Sequence, residues 1–447
     1  MIRHSAIIVN IRDETRTLHE GGTVRIAVIG SGISGLACAR YLHREHEIHV
    51  FEASRHIGGH TATVDVALGG RRYAVDTGFI VYNDRNYPNF IALLEELGVP
   101  SRPTVMSFSV SDRTNGLEYA GSNLNTLFAQ RKNLFSPRFL NMLRDILRFN
   151  REAAADLECG RIDDGTTLGE YLERRRYGRA FIDQYLVPMG AAIWSADTAA
   201  MRDFPLRFFV RFFYNHGLLS LKNRPRWRVV EGGSREYIAP LTRGFARRIR
   251  VDTPVAGVRR TAAGVRVHLS GDRIAHFDQV VFACHGDQAL ALLRDPTEAE
   301  KAVLGALPYR DNEVVLHTDA RLLPKNRSTW SSWNYLLSQE DRHAVVTYNM
   351  NILQGIEAPE TFCVTLNKSD AIDPARILGR FNYSHPVFTP RGLRAQRRWK
   401  DINGGRTWYC GAYWYNGFHE DGVNSAMRVA EHIRRQCRPP ARLVSAA

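Results

Sequence analysis

The 447-residue chain is long enough for two or three domains, and 44% apolar with 24% charged residues excludes a disordered or fibrous protein. No apolar run reaches the roughly 18 residues of a membrane-spanning helix, so a helical membrane protein is excluded too. The 60 basic and 46 acidic residues leave a net charge of +14, and only six of the basic ones are lysine. An arginine surplus of this kind marks an anionic partner, such as lipid headgroups or nucleic acid, or the codon bias of a GC-rich genome.

Residues 1–22 read as a flexible extension: a short apolar stretch turns charged with no small-residue cleavage site, unlike a signal peptide. The six cysteines (38, 159, 284, 363, 410 and 437) show neither CxxC nor metal-type spacing. Reduced thiols in the cytoplasm and no metal centre are the expectation. Val24 to Ile29 is a continuous apolar strand, the pattern of a buried parallel strand. The turn Gly30-Ser31-Gly32-Ile33-Ser34-Gly35 follows, and a helix begins inside it. Ile48 to Phe51 forms a second strand ending at Glu52-Ala53-Ser54. In this context the glycines bind a dinucleotide. Gly30 allows the tight turn, Gly32 the approach of a pyrophosphate, and Gly35 the packing of helix on strand. The helix N-terminus offers free N–H groups to phosphate, and Glu52 accepts from a ribose diol.

Helical patterns dominate residues 83–228. One helix carries Phe90, Leu93, Leu94 and Leu97 on a single face and stops at Gly98; another starts from a Ser136-Pro137 cap. Residues 166–195 read as a helix pair. A helix beyond Phe204 places Phe208, Phe209, Phe212 and Phe213 on one half and Arg207, Arg211 and Tyr214 on the other. Such a face suits a core helix with snorkelling arginines, the wall of an apolar tunnel, or contact with a bilayer surface. No RNP, zinc or helix-turn-helix pattern supports nucleic-acid binding.

After Glu52 the chain runs to Gly58-Gly59-His60-Thr61. Here it resembles the flavin-containing amine oxidase superfamily, and the finer resemblance is to bacterial FAD-binding amine-oxidase-like proteins. The stretches "FFYNHGLL", "WRVVEGGSREY", "SSWNYL", "VTYNMNILQGI" and "WYCGAYWYNGFHEDG" carry it. The resemblance runs from Thr23 to about Arg435 and implies FAD as cofactor. It implies an α/β fold: a Rossmann-type FAD-binding domain (GR2-like, as in amine oxidases) with an inserted α+β substrate domain containing a helical region. The FAD-binding domain would comprise residues 23–82, 229–300 and 400–436, the substrate domain residues 83–228 and 301–399, and a flexible tail residues 437–447. The further cofactor contacts it implies are Gly78-Phe79-Ile80, Val255 beside the adenine, Ala283-Cys284 on a returning strand, Gly411, and Asp421-Gly422-Val423 at the last helix. His56 and His60 stand where relatives have arginines, and Tyr413 where they have an acid.

Amine oxidases of this type carry a lysine near the flavin; the corresponding position falls at about Asn312-Glu313. They also enclose the amine between two aromatic rings, one of which is matched here by Phe418-His419. Members lie beside cyclopropane-fatty-acyl synthase-like methyltransferases, which implies a lipid-like substrate, a methyltransferase partner and a cytoplasmic location at the inner membrane face. The implied function is hydride removal from an apolar acyl chain by an FAD-dependent oxidoreductase. Amine or amino-acid oxidation, a redox-neutral isomerisation and a flavin-stabilised accessory role are the alternatives. His419, Glu313 and Tyr348 are the candidate catalytic residues, His419 because imidazole titrates near neutrality.

Overall fold

The structure is a computed structural model that describes residues 22–220, 222–338 and 345–437. Apart from Gly22 and Cys437, the expected extension and tail lie outside the described residues. The apolar Arg25–Ile29 strand sits at the centre of a five-stranded sheet. It pairs in parallel with Glu47–Phe51 on one side and Gln279–Phe282 on the other; Ile249–Arg250 and Thr407–Tyr409 form the edges, also parallel. Ile26, Ala27 and Val28 are wholly buried, as a parallel strand covered on both faces requires. The helices Ile33–Leu42 and His419–Cys437 pack together against this sheet. They meet at Gly422, where a Cβ would lie 2.8 Å from Ile33 Cγ2 and 2.9 Å from Ser34 Oγ.

A seven-stranded sheet forms the second unit, in the order 377–386, 309–317, 363–366, 345–349, 333–337, 108–112 and 117–120. Its neighbours are antiparallel except Trp333–Leu337 with Phe108–Asp112. Val110, Tyr119, Tyr335 and Val346 share one core with the helices between residues 137 and 215. The boundaries expected at 82/83 and 228/229 fall inside a small sheet, where Trp227–Val230 pairs with Val81–Asn83 and Ser101–Pro103. The two units are thus joined by hydrogen-bonded strands.

The helix ends follow local chemistry. Pro88–Leu97 stops at Gly98, which takes the left-handed conformation with φ 67°. Pro137–Glu158 starts from Ser136, whose Oγ accepts from Phe139 N. The expected pair over 166–195 is Leu168–Arg174 followed by a helix whose Ile182–Leu186 turn is π-wound before Val187–Trp194. Pro188 has no N–H to give to the carbonyl four residues back, and that carbonyl, on Gln184, accepts from Tyr119 OH at 2.6 Å.

The phenylalanine-rich helix, Leu206–Asn215, turns its rings inward. Phe209, Phe212 and Phe213 are buried, and Phe204 lies 4.6 Å from the Trp194 ring. Its outer side is tied to the protein by Arg207–Asp164 and Tyr214–Glu158. Phe208, half-buried, stacks on Phe388 at 4.8 Å, so the apolar half of this helix packs largely against protein.

Gly422→Val is expected to force the first and last helices apart and to lower stability by about 2 kcal/mol, read as a lower thermal midpoint. An unchanged midpoint would show that the helices can separate freely.

Candidate active site

The glycine turn sits where backbone must approach backbone. Gly30 has φ 104°, and a Cβ there would lie 2.8 Å from the Ala283 carbonyl oxygen. Gly35 is closer still to the Gly30 carbonyl, which lets the helix start against the strand. A Cβ on Gly32, by contrast, meets nothing within 4 Å, since this residue borders open cavity. Gly58 forms a parallel bridge with Gly32, and Gly59, at φ 59°, packs over Gly32 Cα. The Glu52 carboxylate accepts from Ser31 N at 3.0 Å, Ser31 Oγ at 2.6 Å and Ser54 N at 2.9 Å. It therefore holds the turn while keeping an edge toward the cavity.

That cavity, about 1600 Å³, runs from this cradle into the helical unit. Gly30 to Ser34, Glu52 to Ser54, Gly58 to His60, Gly78 to Ile80, Val255, Ala283, Cys284 and Gly411 all line it. Four buried polar atoms without a hydrogen-bond partner belong to residues on its wall: His60 Nε2, Tyr413 OH, Trp194 Nε1 and Trp333 Nε1. Bare glycines, a strand-end carboxylate and unpaired polar atoms fit a dinucleotide with a polar ring system. Tyr413 OH, standing where relatives have an acid, is one such atom.

Five residues expected at the cofactor are not on the cavity wall. Gly35 packs helix on strand, Thr61 is fully buried, and Gly422 and Val423 serve the contact between helices. Asp421 folds back to accept from Phe418 N at 2.9 Å and Asn416 N at 3.2 Å. Burial pushes its carboxyl up to about 7.

The three catalytic candidates separate. Glu313 points to solvent, paired with Arg380 at 2.9 Å and accepting from Ser369 Oγ, so it is no part of the site. The cause is strand alternation: Asn312 and Val314 face inward, and Val314 borders the cavity where the resemblance leads one to seek a lysine. Tyr348 does line the cavity, and burial pushes its phenol far up, so it stays protonated. His419 touches the cavity with its ring, which stacks on Phe79 at 3.5 Å. Its Nε2 is held by Tyr237 OH at 3.0 Å and Thr61 Oγ1 at 3.1 Å, while burial keeps it neutral. It is a packed ring whose nitrogen is already engaged.

Sequence reading missed a histidine cluster. His60 lies 5.4 Å from the His385 ring, 6.3 Å from His285 and 5.2 Å from Tyr383, and all four line the cavity. Asn312 Nδ2 bonds His385 Nδ1 at 3.0 Å, and Tyr383 OH bonds Thr77 Oγ1 at 2.9 Å. Burial, then the two neighbouring imidazoles, hold His60 down to about 3. Burial likewise lowers His385, to about 4. The cluster is thus a set of neutral imidazoles. Among the described residues no group of three or more His, Cys, Asp or Glu is placed to hold a metal ion.

A parallel sheet with a glycine cradle at its tip, open to a cavity under a second sheet-and-helix unit, defines a two-unit flavoprotein scaffold. The chain belongs to the flavin-containing amine oxidoreductase family, whose profile matches residues 33–346. FAD is thereby its cofactor. AofH of Mycobacterium tuberculosis, whose name classes it with flavin-containing monoamine oxidases, is 28% identical over 261 residues. These are 55% of this chain and 53% of that protein, so the chain spans about half the length of the curated relatives it matches. Among solved structures, putrescine oxidase bound to putrescine superposes with a TM-score of 0.64 at 16% identity, over 92% of this chain and 99% of the other. Cyclohexylamine oxidase from Brevibacterium oxydans gives 0.63 at 16%, again over 92% and 99%. A CLA-producing fatty acid isomerase from P. acnes gives 0.66 at 15%, over 92% and 98%.

Gly30→Ala is expected to yield protein purified with little or no FAD, read from visible absorbance per chain, because its Cβ collides with the Ala283 carbonyl. Full FAD content would show that the turn can relax. Asp421 predicts a pH effect on stability. Its pKa is raised in the native state, so its contribution is complete below about pH 4 and is lost as pH rises through about 7. Asp76, raised by burial to about 6, acts in the same direction. Asp421→Asn should therefore show a smaller fall in thermal midpoint between pH 5 and 8 than the unaltered protein; equal slopes would refute the assignment.

Proposed function

We propose that the protein is an FAD-dependent oxidoreductase that removes hydride from an apolar, lipid-type acyl chain. The observation that carries this reading is the cavity wall beyond the glycine cradle. Phe108, Tyr185, Met189, Phe212, Phe388 and Phe418 form much of it, with Trp333 and Leu353. Among the described residues Glu52 is the one carboxylate on the wall, and it is engaged by the glycine turn. An alkylammonium substrate would lie buried without a counter-ion, which is costly, whereas a hydrocarbon chain loses nothing there. Among the described residues the wall also holds no lysine. That a fatty acid isomerase shares the fold supports a chain-shaped cavity on this scaffold.

Bound FAD would supply the hydride acceptor. Desaturation of a chain also releases a proton from the neighbouring carbon. The buried, unpartnered His60 Nε2 at the cavity wall is placed to relay it outward, and an imidazole held down to about 3 does not retain the charge. His385 is fixed by Asn312, and His285 by stacking on Tyr309 at 4.2 Å; burial first, and then these two imidazoles, keep His60 uncharged at rest. Phe212 and Phe418, stacked at 5.1 Å, add apolar surface to the same cavity wall.

The test is anaerobic addition of fatty acids, phospholipids or amines to the FAD-loaded protein. Loss of flavin colour with lipid and not with amines is the expected result; loss with amines alone overturns it. A moved double bond in recovered lipid without loss of colour would replace oxidation by isomerisation. His60→Asn is expected to slow the lipid reaction about 10²-fold with FAD content unchanged. An unaltered rate would remove His60 from the mechanism.

A further inference from the structure

Where the cavity wall reaches exposed residues at Gly121 and Ser122, it adjoins a surface with an unusual make-up. Directly after them come the short helix Leu124–Leu127, the turn Arg131–Phe135 and the long helix Pro137–Glu158. These elements form one body. Phe128 and Phe139 pack at 5.7 Å, Phe139 packs on Tyr119 at 5.6 Å, and Arg131 bonds the Phe128 carbonyl. With that packing satisfied, large apolar side chains still face outward: Phe135 is 86% exposed, Leu124 74% and Leu147 55%, with Leu134 and Leu140 at 43% each. Exposed Arg131, Lys132, Arg138 and Arg144 stand among them. Residues 121–144 contain no acidic residue. On the long helix Leu140, Arg144 and Leu147 repeat at the spacing of a single stripe.

Scattered exposed leucines need no explanation, but a contiguous group crowned by a nearly bare phenylalanine does. Aromatic and aliphatic tips interleaved with Arg and Lys match the interfacial zone of an anionic bilayer. There the rings enter the acyl boundary while the cations meet headgroups. Nucleic acid would use the charges and leave the leucines in water. Among the described residues no helix is long and apolar enough to cross a membrane, so such contact would be peripheral.

We infer that the surface of Leu124, Arg131, Lys132, Phe135 and Leu140 docks the protein onto an anionic phospholipid bilayer, bringing the cavity wall at Gly121-Ser122 to the lipid. This extends the acyl-chain reading of the cavity, but vesicle binding is measured without turnover and stands or falls separately. FAD-loaded full-length protein is sedimented with vesicles of phosphatidylcholine alone or of phosphatidylcholine with phosphatidylglycerol. Binding to the mixed vesicles, weak binding to the neutral ones and release by high salt are expected. Arg131→Gln with Lys132→Gln should weaken binding roughly 30-fold, at ~1 kcal/mol per cation. Phe135→Ser with Leu124→Ser should weaken it at least about tenfold. Arg247→Gln with Arg248→Gln, two exposed cations elsewhere, should leave binding unchanged. Equal binding to both vesicle types, or undiminished binding by the surface variants, overturns the inference. So does a dimer that Phe135→Ser dissociates in protein that ignores vesicles, since a second copy would then cover the surface.

Discussion

Everything in this molecule depends on a point where backbones meet with no side chain between them. Gly30, at the tip of the central strand, lies against Ala283 on the returning strand, and Gly35 closes on the Gly30 carbonyl. Gly58 then lays its own backbone along Gly32. A methyl group at Gly30 or Gly35 would wedge strand, helix and loop apart. Their omission lets the N-terminus of the Ile33–Leu42 helix, with its unsatisfied N–H groups, open directly onto the cavity. The Glu52 carboxylate gains its position from the same closeness, since the Ser31 amide it accepts belongs to the turn.

From that point outward the site grows less polar. Its first stretch is glycine and hydroxyl; its middle is a ring of imidazoles kept neutral by burial and by one another; its far end is phenylalanine, tryptophan and leucine. Among the described residues Glu52 at the cradle is the one carboxylate on the wall, while Arg224, Arg226 and Arg228 add positive charge to it. The strand Tyr309–His317 shows how other carboxylates are kept off it: its inward positions are Asn312 and Val314, while Asp311 and Glu313 take the solvent side.

What the sequence made legible follows from how local each signal is. The glycine turn, its strands and Glu52 lie within about thirty residues and share one mechanism, so they could be recognised unaided. The histidine cluster could not, because His60, His285 and His385 come from three distant segments and are joined only by folding. Glu313 was misjudged by a single residue, and in a strand one residue is the difference between cavity and solvent. The phenylalanine helix had the right amphipathic pattern, but a pattern cannot say whether its apolar half meets protein or lipid. Residues 124–140 gave no such pattern, since their exposed apolar side chains are split between two short elements and the start of a long helix. His419 looked catalytic beside so many aromatic residues, yet its nitrogen had two hydroxyl partners recruited from positions 61 and 237.

The bond between Thr61 and His419 spans 358 positions of the chain. The central sheet likewise receives its edge strand, Thr407–Tyr409, only near the end. During synthesis the first strand, turn and helix therefore wait, unclosed, while most of the protein is still being made. Non-local closure of this kind is slow and leaves apolar surface bare in the meantime. The nascent chain is in this respect like an unfastened clasp: cofactor capture is a late event, and conditions that prolong the wait should cost yield before they cost activity.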